Sequence, residues 1–265
     1  MSSTLPTTAI NPPLRCLVVV PSYNTGSILL DTIQSILTYT QDLWVIVDGS
    51  TDHSPNLLLP LLNDHPSFQI LTLPYNQGKG AAIDHAVQQA IIAGYTHILT
   101  IDADGQHPAS SIPVFLEAMA NHPQAALMGK PDFGPEAPAI RVQGRKISNY
   151  WAHLETLSWG ISDSLFGMRL YPIQAINQAF KSTRWARRFD FDTEIAVRIA
   201  WLGIPMHTIS TPVRYISKEE GGVSQFRYGR DNLVLTWMHT RLVIEFLFRL
   251  PHLLYRKLTL KLRSK

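Results

Sequence analysis

The sequence predicts an α/β fold in which a mainly parallel central sheet is flanked by helices. Three observations carry that expectation. Short apolar runs rich in β-branched residues alternate with helical patterns through the first half of the chain. Each run ends in a polar cluster, and parallel sheets bind ligands beyond the carboxyl ends of their strands. The chain has 265 residues, 45% of them hydrophobic, enough for one substantial domain with a packed core.

The first run covers residues 16–20 and is closed by Pro21, which cannot donate to a strand ladder. Residues 43–47, 68–73, 95–101 and 125–129 repeat the pattern. Between them, residues 26–39, 80–93 and 108–121 read as helices. The second half is less regular. It predicts a helix over 141–160, a strand over 165–170 and a helix over 192–202. Residues 204–209 and 212–216 read as a strand pair or one bent strand, and 218–223 as a polar loop. A long helix follows over 231–262, with Pro251 expected to kink or divide it near Leu250. The expected organisation is a flexible leader (1–13), one domain (14–230) and a basic amphipathic helix or helix pair (231–265).

Composition narrows the function classes. The single cysteine, Cys16, cannot form an internal disulfide, which fits a reducing compartment. Residues 1–13 lack the basic start and apolar segment of a signal peptide. No run of eighteen apolar residues predicts a membrane-spanning helix. The net charge of +3 is uneven: residues 241–265 hold seven basic residues against Glu245, leaving −3 for the rest. No nucleic-acid partner is expected. Arg241, Glu245, Arg249, His252, Arg256 and Arg263 form one narrow polar stripe among apolar neighbours. That pattern suits the surface of an anionic bilayer. A packed C-terminal helix or a homodimer seam is the alternative.

The segment Asp102-Ala103-Asp104-Gly105-Gln106-His107 follows the fourth run. Side chains two apart on an extended backbone point the same way, so Asp102 and Asp104 can hold Mg²⁺ or Mn²⁺ together and leave positions for water and phosphate. The alternative is a hairpin turn at Asp104-Gly105. At the first strand end stand Pro21, Tyr23 and Asn24, where Tyr23 offers a face for a nucleobase. Asp48 ends the second strand and can accept hydrogen bonds from a base or ribose, while the residues after it can cap a helix. Gly78-Lys79-Gly80 opens a helix but lacks the spacing of a phosphate-binding P-loop. No Gly-x-Gly-x-x-Gly follows a strand, which disfavours a dinucleotide cofactor. Arg169 can clamp a phosphate or form a buried ion pair. Asp190, Asp192 and Glu194 precede a helix, where one can serve as general base and all can act as caps.

In order and spacing, residues 15–230 resemble the family 2 glycosyltransferases, which have the GT-A fold. Residues 102–108 are most similar to the branch acting on polyprenyl (dolichol) phosphates with mannose or glucose. The resemblance implies a nucleotide-sugar donor, a divalent metal (Mg²⁺ or Mn²⁺) and inverting displacement. It assigns Asp102, Asp104 and Gln106 to the metal, and Pro21, Tyr23, Asn24, Asp48, Lys79, Gly80 and Ala103 with the two aspartates to the donor. Lys130, Arg141, Arg145 and Lys146 correspond to a basic wall; Lys130, Arg145, Arg169, Lys218 and Arg227 become candidates for phosphate or acceptor. Thr25, the lone Asp48, Pro131, the 165–168 segment and Gln225 depart from the family pattern. The expected activity is transfer of one sugar from a UDP- or GDP-sugar to a lipid-linked acceptor, with Asp192 or Asp190 as base. The expected place is the inner face of the cytoplasmic membrane, held peripherally. The alternatives are a nucleotidyltransferase acting on a sugar phosphate and a non-catalytic nucleotide-sugar-binding membrane scaffold.

Overall fold

A computed structural model of the protein describes residues 13–133, 139–214 and 228–263. Its centre is a seven-stranded sheet: β1 (Cys16–Ser22), β2 (Leu43–Asp48), β3 (Gln69–Leu73), β4 (His97–Thr100), β5 (Ala126–Asp132), β6 (Arg169–Pro172) and β7 (Met206–Pro212). The spatial order is β3-β2-β1-β4-β6-β5-β7. The first four strands are parallel, with Val18 beside Leu43 and Val19 beside Thr100. Strand β6 runs antiparallel between β4 and β5, and β7 returns parallel to β5. The sheet is therefore mainly parallel, with one reversed strand.

Alternating side chains explain why both faces carry helices. Leu17 and Val19 join one buried cluster, Val18 and Val20 the other. The second face is covered by α1 (Ile28–Leu37) and α4 (Ile112–Asn121), which contribute Ile33, Ile36 and Phe115. The first face receives α3 (Lys79–Ile92), α6 (Ile173–Lys181) and α7 (Phe191–Trp201), with α5 (Ala139–Thr156) and α8 (Tyr228–Arg263) packed outside. A four-residue helix, α2 (Leu61–Asp64), leads into β3.

Several expectations change in detail. Strand β1 continues through Pro21, which stands opposite Ile46. The strand expected over 165–170 starts at Arg169, because Asp163 and Ser164 are drawn into a hydrogen-bonded turn with Leu165 N–H and Asn149. Residues 206–212 form one strand rather than a pair, and 215–227 lie outside the described residues. Helix α6 has no counterpart in the expectations, although Ile173, Ile176 and Phe180 repeat at three and four and are buried. Helix α8 continues through Pro251. Its second half is held down by buried Leu253 and by Arg256, which donates to the Ala200 and Trp201 carbonyls at 2.8 Å.

Four members of the polar stripe of α8, Arg241, Glu245, Arg249 and Arg256, are engaged by the domain or by one another, while His252 is exposed. Arg241 donates to the fully buried carboxylate of Glu194 at 2.8 Å. Glu245 receives Arg198 at 2.9 Å and Arg249 at 2.7 Å. A carboxylate buried as deeply as Glu194 requires cationic partners, and α8 supplies one of them. These contacts agree with the alternative reading of a packed C-terminal helix. Among the described residues, no helix is long and apolar enough to cross a membrane.

Candidate active site

The carboxyl ends of β1, β2 and β4 open into one cavity of about 1140 Å³. Pro21 and Tyr23 stand on its wall, together with Asp48, Lys79, Asp102, Ala103, Asp104 and Gln106. Arg145 and Asp192 complete it from the second half of the chain. Residues separated by up to about 170 positions thus meet in one place.

Two side chains expected to touch a donor also shape the loops around it. Both oxygens of Asp48 accept backbone N–H groups, from Gln77 and Gly78, each at 2.7 Å. This fastens the 76–79 loop to the tip of β2, so Asp48 contributes to the wall as an anchor. Asn24 holds φ at 47°, a conformation that asparagine tolerates. Its side-chain oxygen accepts from Thr51 N–H at 2.8 Å, joining the first two strand-end loops.

Lys79 occupies the middle of the site. Its ammonium lies 2.7 Å from Asp102 and 2.7 Å from Asp192. Burial alone would lower its pKa, but the two carboxylates raise it above the ordinary lysine value. For Asp102, burial works upward and is overcome by Lys79, His107 and Arg169, leaving the carboxyl below its usual range. Asp192 remains above that range, raised by burial despite Lys79 and Arg169. One oxygen of Asp192 is buried without a hydrogen-bond partner. Burial and the charge of Asp102 also raise Asp104, which accepts from Gln106 N–H at 3.1 Å.

The donor set around Asp104 fits a hard divalent cation. Asp104 and Asp102 are crowded carboxylates, and a cation between them would relieve the repulsion that raises Asp104. Among the described residues no cluster of three or more His, Cys, Asp or Glu side chains is arranged as a metal cage. Magnesium and manganese sites of this kind take most ligands from water and substrate phosphate. Gln106 is on the same wall.

His107 and Gly167 are not among the residues expected to bind donor, acceptor or metal, yet both touch Asp102. The His107 ring stacks on Phe166 at 4.6 Å and lies 3.7 Å from Asp102. Gly167 has no side chain because the Asp102 carboxylate fills the position a Cβ would take. Gly167→Ala is expected to push Asp102 away from Lys79, lowering thermal stability and weakening donor binding by at least tenfold in a calorimetric titration. Unchanged binding would show that Asp102 does not need its present position. The adjacency of His107 to Asp104 was the available signal for the first, and a glycine before Met168 for the second.

Four expected site residues stand off the cavity wall. Arg169 is fully buried and donates to the carbonyls of Asp163 and Asp192, so it orders the protein interior instead of clamping a phosphate. Asp190 accepts from Arg188 N–H at 2.9 Å and Ala186 N–H at 3.1 Å, which makes it a loop staple away from the cavity wall. Gly80 is also off the wall: a Cβ there would collide with the Ala186 carbonyl, so its absence lets α3 pack closely. Lys130 is exposed on β5 and does not line the cavity. Arg145 does line it, paired with Asp163 at 2.7 Å. Lys218 and Arg227 lie outside the described residues, as does the side chain of Arg141.

Residues 17–181 match the model of glycosyl transferase family 2. The chain belongs to that family. A dolichyl-phosphate beta-glucosyltransferase from Trichomonas vaginalis is 26% identical over 203 residues, covering 68% of this chain and 59% of that protein. An undecaprenyl-phosphate mannosyltransferase from Micrococcus luteus is 22% identical over 222 residues, covering 78% and 86%. Among solved structures, glucosyl-3-phosphoglycerate synthase from Mycobacterium tuberculosis, in complex with Mn²⁺, UDP-glucose and phosphoglyceric acid, superposes with a TM-score of 0.61. It is 12% identical and covers 88% of this chain and 79% of its own, a likeness of fold. The family 2 glycosyltransferase described here therefore has the GT-A fold expected from its sequence.

Proposed function

We propose that this family 2 glycosyltransferase moves one sugar from a UDP- or GDP-sugar to a lipid-linked acceptor, with inversion, at the inner face of the cytoplasmic membrane. The observation that carries this reading is the bridge of Lys79 between Asp102 and Asp192. It joins the end of the cavity suited to a donor diphosphate to a carboxylate suited to activating an acceptor. The relatives named for dolichyl and undecaprenyl phosphates support the lipid class of acceptor.

Asp104, with Asp102 and Gln106, would hold Mg²⁺ or Mn²⁺, which supplies charge neutralisation for the departing nucleoside diphosphate. The other functions fall to the chain itself. Lys79 keeps Asp102 ionised and fixes one oxygen of Asp192; the second is buried and unpaired, and would turn toward the cavity to take an acceptor proton. Pro21 and Tyr23 form the wall available to the nucleoside.

A second reading concerns the acceptor atom. Arg145, Arg188 and Arg230 all reach the cavity wall, and three guanidinium groups suit an acceptor phosphate that is already ionised. In that case Asp192 need not act as a base.

Incubation with a panel of sugar nucleotides and Mn²⁺ should release free nucleoside diphosphate from one of them. Release of pyrophosphate would instead indicate nucleotidyl transfer, and no release from any donor would indicate a non-catalytic binding protein.

A further inference from the structure

Helix α8 buries one apolar stripe, Met238, Leu242, Phe246 and Leu253, and carries a second apolar face outward. A surface helix ordinarily buries its apolar stripe and exposes its charges. Here Arg241, Glu245, Arg249 and Arg256 are engaged with one another or with α7, as described above. The outward side instead carries Leu233, Trp237, Phe248, Tyr255, Leu258 and Leu262, all exposed. Their spacings of three, four, seven and eleven place them on one face of a helix. Phe248 is 83% exposed and Leu262 is 74% exposed, far from the behaviour of scattered surface residues.

The neighbouring helix extends this face. On α5, Ile147, Tyr150, Trp151 and Leu154 are exposed at i, i+3, i+4 and i+7. The apolar surface is continuous with the cavity, because Ile147 and Trp151 of α5 and Ile244 of α8 belong to both. That continuity selects the occupant. A second copy of the chain seated on Ile244 and Trp151 would cover the cavity margin, whereas a bilayer would bring a lipid acceptor to it. Tryptophan and tyrosine on the face also suit the headgroup boundary.

We infer that α8 and α5 form a monotopic docking face that enters the lipid interface by apolar insertion, with Arg241, Arg249 and Arg256 engaged by the protein's own carboxylates and carbonyls. The acceptor's hydrocarbon chain then approaches the cavity laterally between α5 and α8, a consequence that rests on the lipid-acceptor reading above. The docking itself differs from attraction of a basic stripe to anionic lipid in its response to salt. Insertion persists when the Debye length falls to about 3 Å at 1 M salt, whereas Coulombic attachment does not.

The test is flotation of the full chain with vesicles of pure phosphatidylcholine and of phosphatidylcholine mixed with phosphatidylglycerol, at low and high salt. The chain is expected to float with both, with little loss in high salt, and Phe248→Glu with Leu258→Glu should reduce the floated fraction at least tenfold. Both substituted residues are exposed, and unchanged far-ultraviolet circular dichroism would confirm folding. Quenching of tryptophan emission by brominated lipid, reduced in Trp237→Phe, provides a readout that leaves the rest of the face intact. Flotation only with anionic vesicles and release by salt would overturn the inference. So would equal flotation of the double variant, or a dimer that the same substitutions dissociate without any vesicle binding. The assay contains neither donor nor acceptor, so its failure leaves the proposed sugar transfer standing and removes only the docking face.

Discussion

Lys79→Met should lower stability by about 3 kcal/mol at neutral pH, the scale on which removal of one member of a buried ion pair is felt. The ammonium is 2.7 Å from two carboxylates, and methionine fills its volume without its charge. Asp102 and Asp192 would then face each other with their shared cation gone. Side chains of Lys79 and Asp192 are only 13% and 7% exposed, so water cannot fully replace it; Asp102, at 28%, is better compensated. The pH dependence has a definite sign. Because the folded Lys79 pKa is raised, its contribution is fully present below the unfolded lysine value and is lost as pH rises through the folded value. At acid pH the two carboxyls take up protons, and the difference between wild type and variant should narrow. Urea unfolding at neutral and acid pH measures both effects. A variant within about 0.5 kcal/mol of wild type at neutral pH, the range of ordinary surface substitutions, would show that the bridge contributes little.

Asp192→Asn should reduce kcat by about 10²- to 10⁴-fold if Asp192 takes the acceptor proton, the usual contribution of a positioned general base. The substitution keeps the shape and one oxygen for Lys79 while removing basicity. Burial raises the Asp192 carboxyl, so wild-type turnover should fall on the acid side at a pH above the ordinary aspartate range. Near-normal turnover in Asp192→Asn, together with a severe loss in Arg145→Ala, would transfer the acceptor role to an ionised phosphate. Steady-state rates with the donor found in the panel separate the outcomes.

Much of the fold was legible because both faces of the sheet are covered. Apolar runs such as 16–20 and 43–47 alternate between two cores, and their polar ends converge as parallel topology requires. The reversed strand β6 was harder to place. Its start is set by the hydrogen bonds of Asp163 and Ser164, which pull the preceding segment into a turn. Helix α6 is short and follows Pro172 directly, so only two apolar turns mark its helical period.

Within the site, residue type suggested which groups could do chemistry, but long-range packing decided which were available. Asp48 and Asp190 look like free acids in the sequence, yet each accepts two backbone N–H groups. Arg169 looks like a phosphate clamp and is buried among carbonyls. Nothing local links Lys79 to Asp192, which are 113 residues apart. The direction of α8 depended on a partner outside the helix. Glu194 and Arg198 of α7, with the Ala200 and Trp201 carbonyls, explain why Arg241, Glu245 and Arg256 turn inward.

The most direct test is calorimetric titration of the panel donor into wild type and Asp104→Asn, with and without Mn²⁺. Metal-dependent binding in the wild type, weakened at least tenfold in the variant, is the predicted result. Equal binding by both proteins, or donor binding indifferent to Mn²⁺, would contradict a cation held between Asp104 and the sugar donor's diphosphate.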